Sequence, residues 1–154
     1  MKNWLLLVLT LPTQNATARM RAWRALKALG CAVLRDGVHL LPNRGDLRVA
    51  LEAQANGVAD AGGAAYVLSL DAEDEAQQQR FVGLFERTVD YLKLMVKIDE
   101  LNLKLAELEH PLLQRSFKAL QRDFQTLAAT DYFPGAAREQ ASTALADLEA
   151  SVQA

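Results

Sequence analysis

The stretch Trp4–Arg44, WLLLVLTLPTQNATARMRAWRALKALGCAVLRDGVHLLPNR, decides how this chain is read. Trp4 to Leu11 is a continuous apolar run. Runs of that kind form strands buried on both faces, in the middle of a covered sheet. Pro12 ends it. Asn15 or Thr17 can cap the helix that follows, which the spacing carries to about Leu29 and Gly30 terminates. On that helix Ala18, Ala22, Ala25, Leu26 and Leu29 share one face. Arg21, Arg24 and Lys27 lie opposite, with Arg19 and Trp23 on the flanks, Trp23 being read as a packed side chain. Cys31–Arg35 and Val38–Leu41 are two short apolar runs. The Asp36-Gly37 pair between them signals a two-residue hairpin whose turn positions both accept positive φ.

Outward from this stretch, Asp46 can cap a second helix reaching about Ala61, closed by Gly62-Gly63. AAYVLSL, Ala64–Leu70, reads as a fourth strand. The order β-α-β-β-α-β is the ferredoxin-like plan, with the first strand inside and both helices on one face. This predicts an α+β class with a ferredoxin-like domain at 1–72. The other sheet face needs a cover, from a second subunit or from the C-terminal helices.

From Asp71 the pattern changes to helix. Phe81, Leu84, Thr88, Tyr91, Met95, Ile98, Asn102 and Leu105 recur at heptad spacing, which predicts one helix of roughly 35 residues running to about Glu109. Asn102 reads as a partly exposed turn position. His110-Pro111 breaks the run. A second helix to Ala129 carries Leu113, Phe117, Leu120, Phe124 and Leu127 on one stripe. An alanine-rich third helix ends near Val152. Residues 73–154 are therefore expected to form a helical hairpin or bundle of about three helices.

The 154 residues are 51% hydrophobic, with a net charge of −2 that conceals an uneven distribution. Residues 1–50 hold eight Lys/Arg and two acids; the remainder holds nine and seventeen. A basic first third facing an acidic remainder points to an anionic partner. The single cysteine, Cys31, excludes an internal disulfide and reads as a buried small hydrophobe. The apolar N-terminal run is too short to span a bilayer, and no small-residue cleavage motif follows it, so a cytoplasmic location without membrane attachment is expected.

No catalytic residue is indicated. His39 and His110 have no Cys or His at ligand spacing, so no metal site is expected. P-loop, GxGxxG and GxSxG motifs are absent from the sequence, and no cofactor is expected. The basic set is the one site-like constellation: Arg19, Arg21, Arg24 and Lys27 on the first helix, Arg35 at a strand end, and Arg44 and Arg48 at the start of the second helix. Arginine's planar fork suits phosphate oxygens, which makes DNA the expected partner. A few phosphate contacts per chain give modest affinity, so a homodimer is expected as well.

The run from LPT through RMRAWRALK to LRDGVHLLP resembles the N-terminal region of the chromate-resistance protein ChrB family. Arg122-Asp123-Phe124, TDYFPG and AAREQASTALADLE are similar to that family's helical end. The resemblance implies a transcriptional regulator of a chromate efflux operon, with the basic N-terminal region touching DNA and chromate as a possible effector. Longer family members carry a further C-terminal domain. The alternative is therefore a non-enzymatic dimerisation or docking module, the N-terminal half of a split protein with a separate C-terminal sensor domain. At the level of fold alone, the order also resembles phenylacetate-operon repressors and small CRISPR-associated nucleases. The latter place an Asp near the end of the first strand, where this chain reads Leu9-Thr10-Leu11-Pro12.

Overall fold

The apolar run forms β1 (Trp4–Thr10), followed by α1 (Ala16–Ala28), β2 (Ala32–Arg35), β3 (Val38–Pro42), α2 (Gly45–Asp60) and β4 (Ala64–Leu70) in a computed structural model describing residues 2–154. Four helices follow: α3 (Glu75–Gly83), α4 (Thr88–Leu103), α5 (His110–Ala129) and α6 (Ala136–Gln153). The class is α+β. The sheet is antiparallel throughout, in the order β2-β3-β1-β4. β1 lies inside it, as its unbroken apolar sequence requires.

Pairing register assigns the two sheet faces. Leu7 pairs with His39 and Leu5 with Leu41, while Trp4 pairs with Pro42 and Val8 with Val38. Leu5, Leu7, Leu9, His39 and Leu41 therefore share one face, since side chains alternate along a strand. α1 and α2 lie on it, contributing Ala22, Leu26, Leu47, Leu51 and Val58 to the buried core. The opposite face carries Trp4, which stacks on Phe85 with ring centroids 5.8 Å apart. Phe81 meets the Trp4 ring edge-on at 5.3 Å, and Trp4 Nε1 donates to Gln78 Oε1 at 2.8 Å. Such aromatic pairs contribute about 0.5–1.5 kcal/mol beyond the area they bury. α3 and Phe85 thus cover the Trp4 end of this face, while Tyr66 and Leu68 on β4 stay exposed.

The expected 35-residue helix does not form. α3 ends at Gly83, and Leu84–Arg87 interrupts the helix before α4. Glycine costs about 1 kcal/mol relative to alanine inside a helix, and Phe85 leaves the helical path to bury its ring against Trp4. The heptad positions Leu84 and Thr88 are accordingly exposed. A second interruption, Lys104–Glu109, precedes α5, whose Pro111 sits in the first turn, where its missing N–H leaves no bond unmade. Asn102 is exposed near the end of α4, in line with its reading.

Compact units divide between Phe85 and Glu86, so the first unit takes in α3, beyond the 72/73 division expected from composition. In the second unit α4, α5 and α6 pack on one another. Their core combines Tyr91, Leu94, Ile98 and Leu101 with Leu113, Phe117 and Leu120 and with Ala141, Leu145, Leu148 and Val152. These three- and four-residue spacings are the apolar stripes of amphipathic helices.

Two local expectations are corrected. Asp46 is not the cap of α2: Arg44 holds that position, its side chain making no capping bond, and Asp46 sits in the first turn, where a carboxylate favours the helix dipole. In the hairpin only Gly37 takes positive φ, +77°; Asp36 does not, and the register shifts between Val33 and Arg35. A bulge absorbs the twist that a turn with two positive φ values would otherwise supply.

Candidate nucleic-acid interface

α1 is positioned by its ends. Asn15 Oδ1 accepts from the Ala18 amide at 3.2 Å, and Asn15 Nδ2 donates to the Ala61 carbonyl at 3.4 Å, tying the start of α1 to the end of α2. With Ala22 and Leu26 buried, the helix has to turn Arg19, Arg21, Arg24 and Lys27 outward, and all four are exposed. None forms an ion pair with a described residue.

Arg21 and Arg24 line a shallow depression with Ala16, Thr17 and Met20, and among the described residues no acid borders it. Trp23 is 51% exposed, against the expectation of a packed side chain. The small Ala22 and Ala25 bring α1 onto its neighbours, and the indole lies on the flank. Lys27 Nζ sits 4.8 Å from the centre of its ring, a cation–π contact.

The other three predicted cations stand apart from this cluster. Arg35 pairs with Val38, which places it on the sheet face opposite α1. Arg44 and Arg48 belong to the start of α2, and Arg48 is paired with Glu52 at 3.7 Å. β1 and β3 run antiparallel, so the start of α2 and the start of α1 lie at opposite ends of the sheet.

Beside α1 is a second feature that the sequence did not single out. A cleft of about 530 Å³ separates the flank of α1 from β1 and the β2–β3 hairpin. Arg19, Trp23, Val33, Asp36 and His39 are among its lining residues. His39 is only 8% exposed, its Nδ1 is buried without a hydrogen-bond partner, and no described residue bonds its other nitrogen. Burial lowers its pKa, partly opposed by the Asp36 charge, so the ring is neutral near pH 7. The usable signal was a lone imidazole in an apolar strand, paired in register with a leucine.

The second unit explains the TDYFPG motif. Tyr91 Oη donates to Asp131 Oδ2 at 2.7 Å inside the helical core, and Arg87 Nη2 donates to the Thr130 carbonyl at 3.3 Å. Burial, then the Asp131 hydrogen bond and charge, raise the Tyr91 pKa. The motif fastens the α5–α6 loop to α4. Among the described residues no group of His, Cys, Asp and Glu is arranged to hold a metal ion. No described helix is long and apolar enough to cross a membrane.

The family model described as "Protein ChrB, N-terminal" matches residues 19–154. The chain belongs to the ChrB N-terminal family. It is 37% identical over 149 residues to the protein named "Protein ChrB" of Cupriavidus metallidurans, covering 97% of this chain and 46% of that one. The chain thus spans about half the length of the curated relative it matches. No solved structure matches. The ChrB match begins at Arg19 and includes the α1 cations, the hairpin wall of the cleft and the whole helical unit.

Proposed function

We propose that this chain is the DNA-contacting part of a transcriptional regulator of a chromate-resistance operon, a cytoplasmic, non-enzymatic protein that works as a homodimer. In this reading the first unit is a ferredoxin-like domain, whose order and strand arrangement suit that plan, and α1 lies along the phosphate backbone. The carrying observation is that Arg19, Arg21, Arg24 and Lys27 occupy one exposed helix and have no carboxylate partner among the described residues. ChrB family membership supports the pathway assignment, and chromate is the effector that the family's role suggests. Fluorescence anisotropy with the promoter of the chain's own operon tests the reading. Promoter binding that exceeds binding to random DNA at physiological salt, and that is lost in Arg21→Glu/Arg24→Glu, is expected. Equal affinity for both DNAs sinks it.

A second reading, a docking module, is favoured by the outer face of α4. Val89, Leu92, Val96 and Leu103 are exposed there, opposite the buried stripe of the same helix. A partner helix would cover them. Sedimentation of the wild type against Leu92→Glu/Val96→Glu discriminates: dissociation of an oligomer with DNA binding intact favours docking through α4.

A further inference from the structure

Two depressions flank the same ridge of α1. The cleft and the arginine-lined depression share Ala16 and Met20, residues one helical turn apart. On one side lies a space of about 530 Å³ with mostly apolar walls, among which stand the polar side chains of Thr10, Arg19, Asp36 and His39. Small-molecule sites have this size and make-up, roughly 300–1,000 Å³ with a few placed polar groups. On the other side Arg21 and Arg24 stand without an acid. The first space suits a flat, uncharged, hydrogen-bonding body; the second suits phosphate.

The polar groups of the cleft narrow the class. Arg19 and Asp36 both line it and make no ion pair with each other. A ligand there must offer an acceptor to the guanidinium and a donor to the carboxylate. His39 is 8% exposed, and among the described residues its buried Nδ1 has no hydrogen-bond partner. With Nδ1 enclosed, a ligand's bond to this ring falls to the other nitrogen of a residue that lines the cleft. Trp23, exposed on the same wall, offers an aromatic surface to a planar ring.

We propose that the cleft between α1 and the β2–β3 hairpin binds a purine nucleotide, its base against Trp23 and His39 and its phosphate across the Met20 ridge on Arg21 and Arg24. This goes beyond the promoter reading, which uses neither His39 nor Asp36. The nucleotide comes either free from solution or from a single strand, and the two sources share one chemistry.

The full chain is titrated by calorimetry at 0.15 M salt with guanosine 5′-monophosphate, adenosine 5′-monophosphate, ribose 5-phosphate and a mixed-sequence single-stranded decamer. A purine nucleotide, free or in the decamer, binds saturably and at least tenfold more tightly than ribose 5-phosphate. His39→Leu weakens that binding about tenfold, the cost of an unmade buried hydrogen bond. Asp36→Ala, on an exposed turn, gives a second reading that does not depend on core packing. Binding of the free nucleotide identifies a soluble ligand; binding of the decamer alone, still lost in both variants, identifies a strand. The inference is overturned if ribose 5-phosphate binds as well as the nucleotides. It is equally overturned if neither ligand responds to either variant in folded protein, and promoter-duplex binding that persists in that case leaves the promoter reading standing.

Discussion

Gly37→Ala should unfold the sheet unit at markedly lower denaturant, and the hairpin geometry sets the size of the effect. Gly37 holds φ +77°, and a Cβ built on it would lie 2.4 Å from the Leu9 carbonyl oxygen. Left-handed backbone costs an L-residue about 1–2 kcal/mol. Relieving the overlap requires the hairpin to withdraw from β1. That lengthens the 2.8 Å bond from the Leu9 amide to the Gly37 carbonyl, worth about 0.5–1.5 kcal/mol net. The expected loss is therefore about 1.5–3.5 kcal/mol. Both tryptophans, Trp4 and Trp23, lie in the first unit, so urea unfolding followed by tryptophan fluorescence reports on it directly. Gly57→Ala is the internal control. It sits inside α2 with nothing within 4 Å of the added Cβ, and alanine there should stabilise by about 0.5–1 kcal/mol. A Gly37→Ala loss below about 0.5 kcal/mol, against the left-handed cost alone, would refute the reasoning that this glycine pins the hairpin to β1.

Tyr91→Phe leaves buried Asp131 without its 2.7 Å donor and should cost about 1–3 kcal/mol in urea unfolding followed by far-UV circular dichroism; an unchanged midpoint contradicts the loop-fastening role. His39 has a lowered pKa in the fold, so its contribution to stability is present above the unfolded value near 6.5 and is lost as pH falls through the folded value. Burial drives that shift and the Asp36 charge opposes it. Midpoints measured from pH 8 down to 5 should fall more for wild type than for His39→Gln, and parallel curves count against the assignment. Burial pushes the Cys31 thiol up to about 12, so iodoacetamide at pH 8 should modify native protein far more slowly than urea-unfolded protein, read by mass spectrometry.

Much of the sheet unit was legible because local rules and tertiary demands coincide there. The Trp4–Leu11 run, the Asn15 cap, the Asp36-Gly37 turn and the AAYVLSL strand each carry their own signal. The interruption at Leu84–Arg87 was not legible. A period that continues smoothly through Phe81, Leu84, Thr88 and Tyr91 says nothing of Trp4, some 80 residues earlier, drawing Phe85 out of the helix. The α1 cations were readable from one helix period, whereas Arg35, Arg44 and Arg48 were grouped with them by composition and separated by topology. The cleft was hidden for the same reason: Arg19, Asp36 and His39 are brought together only when β3 pairs with β1 beneath α1.

The salt dependence of promoter binding tests most directly whether the four cations of α1 act as one phosphate-receiving surface. Each phosphate contact adds about −0.9 to the slope of log K against log salt, so four contacts per chain give about −3.6. Arg21→Glu/Arg24→Glu should bring that slope down to about −1.8 or shallower. A wild-type slope near zero, or one that the double variant leaves unchanged, would contradict the account.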